Sequence, residues 1–88
     1  METKLPKVFW RKLKAIDPQR VQHLLKGERV VCVEGSLAGE IGVVAWVGVV
    51  EMELSIRFLR DRKLIPRCKP AHFARLTGPE GTVTRGSI

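Results

Sequence analysis

Between Gly27 and Val44 the chain reads GERVVCVEGSLAGEIGVV, and no other stretch restricts the fold as tightly. The apolar run Val30–Val33 and the run Ile41–Val44 have the β-branched content of strands. Between them, Gly35 and Gly39 supply the positive φ values that a tight loop needs. Gly42 lets the backbone approach a neighbouring strand. The stretch therefore reads as strand, glycine-dependent loop, strand.

The β pattern continues beyond it, in IGVVAWVGVV and MELSIRFL. In the latter, Leu54, Ile56 and Phe58 alternate with Glu53, Ser55 and Arg57, which predicts one buried and one wet face. The earlier runs are apolar at nearly every position, and strands of that kind are covered on both sides. Trp46 and Phe58 lie inside these apolar patterns and are expected in the core. Asp61 to Lys63 read as a hairpin turn, and LIPRCKP as a returning strand held to an edge by Pro66 and Pro70. PAHF reads as a tight turn and ARL as a short closing strand.

Ahead of the strands, Leu5, Val8, Phe9, Leu13 and Ile16 share one face at helical spacing, with Lys4, Lys7, Arg11 and Lys14 opposite. This predicts an amphipathic helix. Asp17-Pro18 breaks it and offers a cap and first-turn pair for a second short helix over 18–26. Val21, Leu24 and Leu25 are that helix's apolar triplet, and Gly27 is its stop. This N-terminal segment is the nearest available cover for the strands. The stretch from Thr77 to Ile88, rich in glycine and poor in apolar residues, is expected to be disordered.

The spacing of Val30, Cys32, Gly35, Gly39, Gly42 and Val44 after Gly27 resembles the KOW motif, the strand–loop–strand signature of large-subunit ribosomal proteins and NusG-type elongation factors. The likeness is close over Gly27–Val44. It continues more loosely to Leu76, through the alternating strand, the hairpin and a Pro70-Ala71 closing turn. It implies a mainly β fold: a small SH3-like, KOW-type five-stranded barrel over 27–76, preceded by one or two short amphipathic helices within 1–26 that pack on it. The resemblance also implies RNA contact, commonly through a lysine-bearing loop. Here the loop departs from that pattern, carrying Ser36, Leu37, Ala38, Glu40 and Ile41 without a lysine. A carboxylate facing phosphate is unfavourable, and Leu37, Glu40 and Ile41 suit a protein contact better.

The formal net charge of +7 is unevenly spread. Residues 1–26 and 57–75 each carry seven Lys/Arg, whereas 27–56 carry Arg29 alone against five glutamates. Such an excess attracts polyanions, nucleic acid first and acidic proteins or membrane surfaces second. On a hairpin turning near Arg62, the residues Arg57, Arg60, Arg62, Lys63, Arg67 and Lys69 form one positive face. Arginine forks on that face suit phosphate. Lys7 and Arg11 would extend it; an ordinary solvated surface is the competing reading. With no tyrosine and few aromatics, a binder resting on base stacking has little support.

Two function classes follow. The first is a non-enzymatic module for RNA or a ribonucleoprotein, in a translation or transcription setting. The second is an SH3-like protein-interaction module docking a partner through the Gly35–Gly42 loop, with an acidic partner suiting the basic surface. A membrane partner is not expected, because no apolar run approaches the ~20 residues of a span and the helical apolar face is needed for packing. Cys32, Cys68, His23 and His72 match no common zinc spacing, so neither metal nor other cofactor is expected. No carboxylate pair or Ser/His/Asp set suggests an enzyme. Two cysteines in strand-like contexts and no signal-peptide pattern lead to an expectation of reduced thiols in the cytoplasm. Nothing in the sequence sets an oligomeric state.

Overall fold

The computed structural model describes residues 3–76. Five antiparallel strands form one sheet: β1 (Arg29–Cys32), β2 (Ile41–Gly48), β3 (Glu53–Phe58), β4 (Leu64–Cys68) and β5 (Phe73–Arg75), ordered β4-β3-β2-β1-β5. Gly35 and Gly39, in the β1–β2 loop, take φ values of 82° and 94°. The Gly39 N–H closes that loop by donating to the Cys32 carbonyl at 2.6 Å. A Cβ on Gly42 would lie 2.4 Å from Ile56 Cγ2 and 3.3 Å from the Arg57 carbonyl. Only glycine admits β3 that closely.

The sheet does not close into the expected barrel. β4 and β5 are its two edges, joined by a 3-10 turn at Pro70–His72 rather than by strand pairing. Pro66 removes a donor from the middle of β4, and Arg67 turns to a left-handed φ of 59°. β5 has only three residues. Neither edge presents a continuous row of pairing groups to the other.

The N-terminal segment is also less helical than its spacing predicts. A single turn, α1 (Lys7–Trp10), forms. On either side of it the backbone is bound to the sheet: Lys4 bridges Glu40, and Ala15 bridges Ala74. The Leu5 N–H donates to the Gly39 carbonyl and the Ile16 N–H to that of Phe73, both at 2.8 Å. These sheet bonds displace a helix that would be marginal at this length in isolation. The buried side also changes: Leu5, Trp10 and Leu13 pack on Val31, Ile41 and Ala74, while Val8 and Phe9 stay exposed. The second helix is a 3-10 helix over Pro18–His23, with Asp17 Oδ1 accepting from the Gln19 N–H at 3.0 Å as a cap. Gly27 is not its stop. At φ 90° it leads into β1, and its N–H donates to the Val44 carbonyl.

The main core lies on one face of the sheet. Val30, Val44, Leu54, Ile56, Phe58 and Phe73 gather there beneath Ile16, Val21 and Leu24. The opposite face carries the smaller Val31–Ile41–Ala74 cluster. The N-terminal segment thus covers both faces near β1, as apolar strands require. Phe58 is buried against Phe73, with ring centroids 6.1 Å apart. Trp46 is not a core residue; it is 50% exposed. An irregularity between Val44 and Trp46 shifts the β2 register and turns the indole outward. The expected disorder of 77–88 lies outside the described residues. No helix among the described residues is long and apolar enough to cross a membrane.

Candidate functional site

The β3–β4 hairpin positions most of the basic residues singled out from the sequence. Its turn is fixed by main-chain bonds: the Arg62 N–H donates to the Phe58 carbonyl at 2.8 Å, and the Phe58 N–H to that of Lys63 at 3.1 Å. Asp61 Oδ1 accepts from the Lys63 N–H at 3.0 Å, a local side-chain turn. Arg62 sits at φ 61°, so the turn carries Arg62 and Lys63 outward into solvent. Arg57 leaves the wet face of β3, and its Nη1 donates to the Arg62 carbonyl at 3.1 Å. Arg67 and Lys69 are exposed at the other end of β4.

These cations differ in what already holds them. Arg60 Nη1 lies 3.5 Å from Glu40 Oε2, and Arg60 Nε lies 3.6 Å from Asp61. Glu40 is 7% exposed, and its Oε1 finds no hydrogen-bond partner among the described residues. Arg60 is therefore a counter-ion to a buried carboxylate, and moving it to a phosphate would leave Glu40 uncompensated. Arg75 is likewise tied to Glu28 at 2.5 Å. Among the described residues, no carboxylate pairs with Arg57, Arg62, Lys63, Arg67 or Lys69. Lys7 and Arg11 are exposed on the N-terminal segment. That segment runs beside the turn, because Leu59 shares a cluster with Leu5 and Trp10.

The β1–β2 loop is not an exposed aliphatic surface. Leu37 packs against the main core, Ile41 is buried in the second cluster, and Glu40 faces Arg60. The loop's tight glycine conformations fold these side chains inward. Exposed apolar residues stand instead at the β2–β3 tip, where Val50 is 89% exposed beside Val49, Met52 and Trp46. The sequence hides this tip because Val49 and Val50 prolong a strand-like run and residues 49–52 contain no Gly, Pro, Asn or Asp.

A cleft of about 340 Å³ opens on the unclosed side of the sheet, between β4, the 3-10 turn and the β1–β2 loop. Cys32, Leu37, Phe58 and Phe73 line it, with Arg67, Lys69 and His72. Both cysteines are free, and burial pushes both thiols up, which disfavours thiolate at neutral pH. His72 faces Glu34 at 3.8 Å. Among the described residues, no three His, Cys, Asp or Glu side chains gather closely enough to hold a metal ion. Comparison with protein-family models, with curated proteins and with solved structures returned no match.

Proposed function

We propose that this chain is a small non-enzymatic module that binds RNA or a ribonucleoprotein electrostatically, on a KOW-type, SH3-like scaffold. One observation carries the reading: Arg57, Arg62, Lys63, Arg67 and Lys69 are exposed along a single hairpin without a carboxylate partner among the described residues. Two buried or half-buried glutamates are matched to Arg60 and Arg75, which leaves the hairpin's charge for an external anion. Arginine presents a fork that meets phosphate in two bonds. The positive φ values at Gly35 and Gly39 and the close approach at Gly42 support the strand–loop–strand part of the scaffold. Arg60, held by Glu40, is not a phosphate ligand, and Lys7 and Arg11 are auxiliary. A translation or transcription setting in the cytoplasm suits such a module.

The test is charge reversal at the turn. Arg62→Glu with Lys63→Glu should weaken binding of a short RNA at low salt by about tenfold or more, read by fluorescence anisotropy. Lys14→Glu, away from the hairpin, should leave it nearly unchanged. Equal affinities for all three proteins would contradict the proposal.

A second reading, docking of a protein partner, draws its support from the β2–β3 tip rather than from Leu37 and Ile41. Trp46 and Met52 there are 50% and 45% exposed, and such residues are enriched in protein interfaces. Under that reading Val50→Asp abolishes partner capture and leaves RNA affinity intact.

A further inference from the structure

The cleft beside β4 pairs an apolar interior with a cationic margin. Leu37 and Ile65 supply its accessible apolar surface above the buried Phe58 and Phe73 of the main core, while Arg67 and Lys69 line the same cleft from exposed positions. Arg67 holds a left-handed backbone there, at φ 59°, a conformation uncommon outside glycine. Glu34, at another wall, lies 3.8 Å from His72 Nε2.

An occupant needs an apolar part set beside negative charge. A nucleobase on its sugar-phosphate strand meets both conditions. Paired bases are locked in their stack, so a duplex offers only backbone to such a recess. Acidic peptide side chains would have to lose their water against phenylalanine and leucine. We propose that the cleft receives an unpaired base of single-stranded RNA, with Arg67 and Lys69 holding the flanking phosphates. This rests on the RNA-binding reading and narrows it to unpaired strands.

Cys68 also lines the cleft and is half-buried, so its alkylation reports occupancy. The protein is treated with N-ethylmaleimide, with the modified cysteine identified by mass spectrometry and RNA binding followed in parallel by anisotropy. A mixed-sequence single-stranded RNA octamer, at ten times its dissociation constant, should slow Cys68 alkylation about tenfold. A bound RNA duplex should not, and Arg67→Glu with Lys69→Glu should abolish the protection while preserving the circular dichroism spectrum. Octamer binding with an unchanged Cys68 rate overturns the cleft assignment and leaves the RNA reading standing. An octamer that does not bind at low salt overturns both. Equal protection by hexaglutamate identifies an acidic protein segment as the occupant and overturns the proposal.

Discussion

Gly42 and Gly35 belong to one strand–loop–strand unit, yet each is glycine for a different physical reason. At Gly42 the obstacle is Ile56, whose Cγ2 stands 2.4 Å from where a Cβ would be. Gly42→Ala should therefore destabilise the fold by about 2 kcal/mol through overpacking. Gly35 has open space around it and a φ of 82°, so Gly35→Ala should cost only about 1 kcal/mol of backbone strain. Urea unfolding of the two variants checks the order, and a larger loss at Gly35 contradicts the packing described. A second residue-scale prediction concerns Glu40. Arg60 is half-exposed, so solvent screens the pair, and Arg60→Ala should cost about 1 kcal/mol. Adding Glu40→Gln should recover most of that loss, because the remaining buried group is no longer charged. The buried thiol of Cys32 gives a pH dependence. Its native value is raised, so the neutral thiol's contribution is full below the ordinary 9.0 and is lost as pH climbs from there toward the native value. Unfolding free energy measured from pH 8 to 11 should decline less steeply in Cys32→Ala than in the parent.

The N-terminal segment was only half legible, and the reason lies in competition between local and long-range bonds. Helical spacing groups Val8 and Phe9 with the core. Once Lys4 and Ala15 bridge the sheet, only one helical turn remains, and Trp10 becomes the packed aromatic. Trp10→Ala should cost about 2–3 kcal/mol, whereas Phe9→Ala should stay within about 0.5 kcal/mol. The reverse order in thermal or urea unfolding would restore the amphipathic helix. The strands were more readable. Leu54, Ile56 and Phe58 alternate with polar residues and are buried as that alternation requires, and Pro66 marks an edge strand. Trp46 escaped because one extra residue in β2 reverses the face of everything after it, a change that composition does not record. Barrel closure escaped too, since it depends on the left-handed turn at Arg67 and on a β5 of three residues.

Across the whole molecule, charge is sorted more sharply than the sequence displays. The acidic stretch around the glycine loop is part of the scaffold, and its Glu28 and Glu40 each hold an arginine in place. The hairpin that follows keeps its remaining cations outward. Most of the candidate site was thus visible as a run of Arg and Lys. The exclusion of Arg60, the burial of Ile41 and the cleft beside β4 were not, because they arise from contacts between residues distant in sequence.

The salt dependence of RNA affinity tests the central claim most directly. If Arg57, Arg62, Lys63, Arg67 and Lys69 each neutralise one phosphate of a single strand, about 0.7 of a counterion is released at each, and the log–log slope lies near −3.5. Reversing Arg62 and Lys63 should make that slope shallower by about 1.4. Measured affinities that fall along the steeper line, with the variant on the shallower one, are the predicted result. Affinity independent of salt, or no RNA bound at the lowest salt, would contradict it.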